Sequence, residues 1–227
     1  KKDFYFSHLI EHLNKKNFCI SYINHTKKNF KNAPNKIYLD NTIGFTNELN
    51  VFFSLIKNSL KLFFKALNEK NGFKKKFFLF LFSNCISNKT AQNYRIYYQT
   101  LKQIYKLKPK LIITTFEGHA FERNIFRAVS DSNLNSLKLA FHHSLPFKNQ
   151  FSYTSVLHNG SDPNYILASG KNSYKKFNKI KEYKNKVYLV GSNRISERKK
   201  FKIKKMNQKI THNCLVMAEG IEEENEI

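Results

Sequence analysis

The alternation of short apolar runs with longer amphipathic stretches is the feature that most constrains the fold. Six runs have the length and composition of strands: 18–23, 37–39, 111–116, 137–141, 165–168 and 187–190. Four stretches have the character of helices: 47–67, 90–107, 119–130 and 173–183. Strands that alternate with helices favour a parallel sheet covered by helices. The sequence therefore predicts an α/β fold built on a Rossmann-like parallel sheet.

The segment 47–82 carries two apolar stretches. In 47–67 apolar residues recur at helical spacing, while Lys57, Lys61 and Lys65 line another face. This pattern predicts a helix packed on the sheet, with a helix lying on a membrane surface as the alternative. After a break at Asn71-Gly72, the run 77–82 is predicted to be a buried strand or an apolar helix segment. It is far shorter than the roughly 20 residues needed to span a bilayer.

A change in composition near residue 197 predicts a domain boundary. Between Arg198 and Lys209 there are seven basic residues and no acidic one, which is typical of a solvated linker. The following run 214–217 has the composition of a buried strand and precedes a glutamate-rich segment, which suits the first turn of a helix. We therefore expect a Rossmann-like domain at 1–196, a basic linker at 197–212, and the start of a second, truncated Rossmann-like domain at 213–227.

The formal net charge of +24 indicates which kinds of molecule this chain can attract. Only five of the 40 basic residues are Arg, although proteins that read nucleic acids rely on Arg forks for phosphate and guanine contacts. Lys is plentiful together with Asn, Ile and Phe, which all have A/T-rich codons, so genome composition explains much of the excess. We expect no specific nucleic-acid partner, but a field that attracts anionic membrane surfaces or nucleotide phosphates.

The sequence lacks the common signatures of a cofactor or a metal site. Cys19, Cys85 and Cys214 are too far apart to have metal-ligand spacing. Neither a Walker phosphate loop nor a Gly-x-Gly-x-x-Gly fingerprint is present, which argues against a nucleotide hydrolase or a nicotinamide enzyme. We predict that the chain uses no cofactor and no metal ion.

Polar residues follow four of the predicted strands, at the edge where open parallel sheets bind ligands. After 111–116 come Glu117, Gly118 and His119, with Glu122 and Arg123 one turn later. The other three strand ends are followed by His142, His143 and Ser144, by Ser169 and Gly170, and by Gly191, Ser192, Asn193 and Arg194. This clustering predicts a ligand site at the carboxyl edge of the sheet.

Glu117 and His119 are candidate proton acceptors beside the start of a helix, where anions bind. The alternative interpretation makes Glu117 a helix cap and His119 a surface histidine. His142 and His143 are neighbours on an extended segment and point opposite ways, so we expect one to face the cleft and the other to pack or meet solvent. The segment 191–194 is equally suited to contact a phosphate or hydroxyl and to form a turn.

Five segments, in order, resemble bacterial surface-carbohydrate biosynthesis proteins of the glycosyltransferase-B type. They are Thr115-Phe116-Glu117-Gly118-His119-Ala120-Phe121-Glu122-Arg123, Phe141-His142-His143-Ser144, Asp162-Pro163-Asn164-Tyr165-Ile166-Leu167 with Gly170, Val190-Gly191-Ser192-Asn193-Arg194, and Leu215-Val216-Met217-Ala218-Glu219-Gly220. The likeness covers residue 111 to the end. Phe121, His142 and Ala218 stand where the family pattern has Trp, Gln and Pro.

The resemblance implies two Rossmann-like domains, of which the N-terminal one holds the acceptor and the C-terminal one the nucleotide-sugar. We expect transfer of a sugar to a growing surface-polysaccharide or lipid-linked saccharide acceptor, in the cytoplasm or peripherally at the inner face of the membrane. Glu117 is the expected base, His119 the next candidate, and His143 an acceptor-orienting group. Arg123 is expected to pair with Glu117 or Glu122, or to contact an anionic acceptor. The other expected substrate-binding residues are Gly118, His142, Ser144, Gly170, Ser192, Asn193 and Arg194.

Three alternatives stay open. The first is a transferase that moves a polyol-phosphate on the same scaffold. The second is a non-catalytic module that binds carbohydrate or a membrane surface. The third is a basic nucleic-acid binder, which would need a Lys-rich face with interleaved exposed aromatic residues.

Overall fold

Four parallel strands form the central sheet in the computed structural model, which describes residues 20–22, 36–39, 43–144 and 151–191. The strands are β1 (Ile20–Tyr22), β2 (Lys36–Tyr38), β3 (Leu111–Thr115), β4 (Leu137–His142), β5 (Tyr165–Ala168) and β6 (Val187–Leu189). The helices are α1 (Phe45–Asn68), α2 (Gly72–Cys85), α3 (Asn88–Leu107), α4 (Ala120–Asp131) and α5 (Lys171–Asn178), and a 3-10 turn spans Lys181–Tyr183. The predicted Rossmann-like α/β sheet is confirmed.

The strands of the central sheet lie in the order β3-β4-β5-β6, and β1 pairs with β2 in a separate parallel pair. Thr115 is the register partner of Phe141, and His142 is the partner of Ala168. Because neighbouring strands run in the same direction, their carboxyl ends meet at one edge. The polar residues that follow β3, β4 and β5 are therefore brought to that edge.

Two apolar clusters hold the helices on the sheet. The larger one includes the fully buried Phe116, Phe126, Ile166 and Phe177, which come from four different segments. The smaller one is centred on Ile104 of α3, with residues of α4 and β3 packed against it. Burial of such side chains is the main favourable contribution to folding, at about 1.5–3 kcal/mol each.

The ends of α3 follow from its sequence. The Ser87 hydroxyl accepts a hydrogen bond from the Thr90 amide at 3.3 Å and so caps the N-terminus. At the C-terminus Lys108 adopts a left-handed conformation with φ of 46°, and Pro109 follows, which cannot continue a helix. The predicted helix at 90–107 is therefore confirmed, with two further residues at its start.

One expectation for the segment 45–85 is corrected and another is confirmed. The helix α1 packs against α2 and α3 rather than against the sheet. The run 77–82 is helical, which confirms one of its two predicted alternatives, and its residues Phe77 and Phe80 are exposed. An apolar run alone does not determine which surface covers it, because burial depends on the neighbours that the fold supplies.

Some predictions fall on segments that the structure does not describe. The linker at 197–212, the strand at 214–217 and the residues Ser192, Asn193 and Arg194 lie outside the described ranges. Among the helices that are described, none combines the length and apolarity needed to cross a bilayer.

Candidate active site at the carboxyl edge of the sheet

The register of the sheet brings Glu117 beside His143. The Phe116 amide donates a hydrogen bond to the Phe141 carbonyl at 2.9 Å, which extends the β3-β4 pairing by one residue. One step further, Glu117 and His143 leave their strands next to each other. Successive residues of a strand point to opposite faces, so His143 lies on the same side as Phe141, and the two rings stack with centroids 6.2 Å apart.

The Glu117 carboxylate lies between two imidazoles. Its Oε1 is 3.3 Å from His143 Nε2, and its Oε2 is 3.2 Å from His119 Nε2. The side chain of Glu117 is 27% exposed, that of His119 is 55% exposed and that of His143 is 13% exposed. The structure thus brings together the three residues expected to be catalytic, with the carboxylate accessible from the solvent.

The turn that carries Glu117 is held by a second carboxylate, that of Glu122. Its Oε2 accepts hydrogen bonds from the Glu117 amide at 2.9 Å and from the His119 amide at 2.8 Å. Glu122 is fully buried, and this burial raises the pKa of its carboxyl, although the backbone amides act in the opposite direction. His119 is the N-cap of α4, and Glu122 closes the capping box by accepting from the His119 amide, so the alternative role of Glu117 as a cap is not what the structure shows.

Gly118 occupies a position that only glycine fits. Its φ is 81°, and a Cβ at this residue would lie 2.3 Å from the carbonyl carbon of Ser152. The Ser152 hydroxyl also donates to the Glu117 carbonyl at 2.8 Å. Gly118 thus lets the segment 151–155 close against the turn. Its expected contact with substrate stays a prediction.

His142 is the histidine that packs, as expected for one of the pair, and its assignment to the substrate-binding group is corrected. Its ring is fully buried between Tyr153 and Phe177, with centroids 4.8 and 5.1 Å away. Neither ring nitrogen has a hydrogen-bond partner among the described residues. Burial, followed by the nearby charge of His143, lowers the pKa of His142 to about 4, so the ring is neutral near pH 7.

Arg123 has a different partner from the two expected glutamates. It is buried and forms an ion pair with Asp162, and its Nη2 donates to the carbonyls of Ser152 at 3.0 Å and Ser155 at 2.7 Å. The guanidinium lies over the Phe116 ring, 4.8 Å from its centroid. Because its donors are used inside the protein, Arg123 fixes the segment 151–162 rather than reaching an acceptor.

Glu117, His119 and His143 together form what we call the Glu117 group. An open cleft of about 270 Å³ adjoins this group at His143. Its lining includes His143 and Ser144 after β4, and Ser169 and Gly170 after β5. The Ser169 amide donates to the His142 carbonyl at 3.0 Å, which ties the two strand ends together. Ser144 and Gly170, which the sequence predicts at the carboxyl edge of the sheet, therefore both line this cleft. The described ranges hold no group of three or more side chains suited to a metal ion.

Two residues important to this site were not assigned a role from the sequence. Glu122 stands three residues after the helix N-cap, the position at which an acidic residue closes a capping box. That spacing in the sequence indicates its role. Asp162 accepts from Arg123 and from the amides of Leu157 and His158. No local signal identifies this pairing, because Arg123 and Asp162 are far apart in sequence.

Comparison with protein-family models, with curated protein sequences and with solved structures finds no match to this chain.

Proposed function

We propose that the chain is the acceptor-side part of a glycosyltransferase that moves a sugar from a nucleotide-sugar to a surface-polysaccharide or lipid-linked acceptor. The observation that carries the proposal is the Glu117 carboxylate held between His119 and His143 at the carboxyl edge of a parallel sheet. Ligands of open α/β sheets bind at this edge. Glu117 is partly exposed and contacts His143, which lines the open cleft. Such a carboxylate is suited to accept a proton from a hydroxyl.

The chemistry follows from the roles of the three side chains. The acceptor hydroxyl gives its proton to Glu117 while its oxygen forms a bond to the anomeric carbon of the donor. The bond between that carbon and the nucleotide phosphate breaks, and the electron pair leaves with the phosphate. His143 is largely buried and stacked on Phe141, so it fixes the carboxylate, whereas the exposed His119 is placed to pass the proton to water.

The resemblance supports the same assignment, because Glu117, His119 and His143 all lie within its motifs. In the two-domain arrangement that it implies, the donor phosphate is stabilised by helix ends and basic side chains. No metal ion is then required for departure of the nucleotide. The transfer of a polyol-phosphate would use the same base and differs in the donor.

Replacing Glu117 by Gln tests the proposal, because the amide keeps the size of the side chain and removes the proton acceptor. Turnover is measured in the enzyme that carries this chain together with its proposed donor-side domain, as nucleoside diphosphate released from a panel of UDP- and GDP-sugars in the presence of a membrane extract that supplies acceptors. We expect the rate to fall roughly a hundredfold or more, with little change in acceptor binding. The matched control is Glu182→Gln, since Glu182 is exposed in the 3-10 turn and far along the chain from the site.

Near-normal turnover in a folded Glu117→Gln protein would rule out Glu117 as the base, and His119 would be tested next. Release of a nucleoside monophosphate from a CDP-activated polyol, with none from nucleotide-sugars, would support the polyol-phosphate alternative. Saccharide binding without release of any nucleotide would support a non-catalytic module.

A further inference from the structure

The helices α1 and α2 form a hairpin, residues 45–85, with an unusual amount of exposed aromatic surface. The contact between them includes the rings of Phe63 and Phe82, whose centroids are 5.3 Å apart. Seven other phenylalanines of the hairpin are at least half exposed: Phe45, Phe52, Phe53, Phe64, Phe73, Phe77 and Phe80. Proteins rarely leave such a set of large apolar side chains in water unless the surface binds something.

On α1 the exposed apolar side chains form a stripe of their own. The face that packs inside the protein carries Val51, Leu55 and Ala66, all buried. A second set lies on another face of the helix, at steps of three, four or seven residues apart from the adjacent pair at 52 and 53, and is exposed: Phe45, Leu49, Phe52, Phe53, Leu60, Phe64 and Leu67. A helix that packs on one side normally presents polar residues elsewhere, so the second stripe is not explained by packing within the described residues.

The charges of the hairpin are almost all positive. From Phe45 to Cys85 there are seven Lys and two acidic residues, Glu69 and Glu48, of which Glu48 is paired with Arg95. All seven Lys are exposed. Lys57, Lys61 and Lys65 recur every four residues and so form a row along α1, beside the apolar stripe. On α2, three consecutive Lys, at 74–76, lie within the same turns as Phe73 and Phe77.

We propose that the hairpin is a docking surface for an anionic lipid membrane. Phenylalanine and leucine side chains enter the boundary between headgroups and acyl chains, and the adjoining Lys contact lipid phosphates. An apolar helical stripe flanked by Lys is the pattern of helices that lie in this interface. The inference is independent of the proposed function, since it uses no residue of the Glu117 group.

Charge and side-chain type favour lipid over the other occupants. A second copy of the hairpin would bring seven more Lys against the first seven, and like charges at such a contact are unfavourable. Single-stranded nucleic acid stacks its bases on separate aromatic rings. Here Leu49, Leu60 and Leu67 complete the stripe, and aliphatic side chains offer no stacking face.

The test measures co-sedimentation of the whole protein with vesicles of phosphatidylcholine containing about 30% phosphatidylglycerol. In the variant Phe52→Ser/Phe53→Ser/Phe64→Ser we expect the partition coefficient to fall roughly a hundredfold, because three apolar side chains no longer enter the interface. The three are 54%, 60% and 57% exposed, so folding is expected to be unchanged, and a thermal melt checks this. The matched control is Tyr105→Ser/Phe151→Ser/Tyr188→Ser, which removes three exposed aromatic side chains outside the hairpin. We expect this variant to keep its vesicle binding.

A pair of charge variants separates local contact from the net charge of the chain. Lys57→Gln/Lys61→Gln/Lys65→Gln is expected to lower partition roughly a hundredfold, at about fivefold for each Lys. The variant Lys102→Gln/Lys106→Gln/Lys110→Gln removes the same charge from exposed positions elsewhere and is expected to have a small effect.

Three outcomes would overturn the proposal. The first is equal loss in both Lys variants, which indicates diffuse attraction by the net charge. The second is unchanged vesicle binding in the Phe variant together with loss of a dimer in sedimentation velocity, which indicates a second copy. The third is loss of single-stranded RNA binding in the Phe variant with vesicle binding intact. Normal vesicle binding by Glu117→Gln, whatever its turnover, keeps this proposal separate from the enzymatic one.

Discussion

At Gly118 the backbone of the β3-α4 turn runs directly against residues 152 and 153. A Cβ added there would lie 2.4 Å from the Tyr153 amide nitrogen, and the φ of 81° is itself unfavourable for other residues. At Gly170, on the neighbouring strand end, a Cβ would meet nothing within 4 Å, and the φ is −148°. A side chain is therefore excluded at Gly118 by the neighbouring backbone, but it is not excluded at Gly170.

Replacement of each glycine by alanine tests this difference. We expect Gly118→Ala to lower the free energy of unfolding by at least about 2 kcal/mol, since the turn or the segment 151–155 has to move. Gly170→Ala serves as the control and should unfold within about 0.5 kcal/mol of the original protein. Urea denaturation measures both, and equal stability of the two variants would contradict the close approach at Gly118.

The buried ring of His142 makes stability depend on pH. Its pKa is about 4 in the folded protein and near 6.5 when unfolded, so the unfolded chain binds the proton more readily between these values. The stability is therefore fully present above pH 6.5 and falls as the pH drops toward 4, by about 3 kcal/mol in total. Below pH 4 this contribution no longer changes.

The variant His142→Gln removes that titration, so its stability should change less between pH 6.5 and 4 than that of the original protein. The raised pKa of Glu122 contributes with the opposite sign, but it is present in both proteins and cancels in the comparison. His119→Gln is the control, because that ring is exposed. The measurement is the midpoint of urea denaturation at a series of pH values. Parallel curves for the original protein and His142→Gln would show that His142 does not cause the pH dependence.

At the scale of elements, Arg123 joins α4 to the segment 151–162. It pairs with Asp162, which also accepts hydrogen bonds from the amides of Leu157 and His158. Burial raises the pKa of the neighbouring Tyr183 to about 12. This segment supplies Ser152, which closes against the Glu117 turn. The position of Glu117 thus depends on a pairing between residues that are distant in sequence.

Replacing Arg123 by Met leaves Asp162 without its cation and two carbonyls without their donor. We expect the free energy of unfolding to fall by about 3–5 kcal/mol, as for the loss of one partner of a buried ion pair. Arg127→Met is the matched control on the same helix, because its pair with Asp131 is more exposed and should contribute no more than about 1 kcal/mol. Similar losses in the two variants would show that Arg123 is not a buried clamp.

Sequence patterns predicted the parts of this molecule that depend on local order. The strands 111–116 and 137–141 end just before Glu117 and His142, so the meeting of Glu117 with the His142-His143 pair follows from parallel pairing alone. Alternation required the two histidines to point opposite ways, but did not say which of them would pack, because that depends on Tyr153 and Phe177. The partner of Arg123 and the exposure of 77–82 were missed for the same reason, since both depend on contacts between distant segments.

Across the whole molecule, burial is distributed unevenly, and local stability should follow it. No residue of α2 is buried, whereas Ala140 of β4 and Ile166 of β5 are fully buried. Amides in elements with few buried contacts open with low free energies, and those of the core open only with global unfolding. In hydrogen exchange of the lipid-free protein we therefore expect the amides of α2 to exchange at least about a hundredfold faster than those of β4 and β5. The helix α1, which buries Val51 and Leu55, should be intermediate, and protection of α2 equal to that of β4 would show that burial does not set the order of opening.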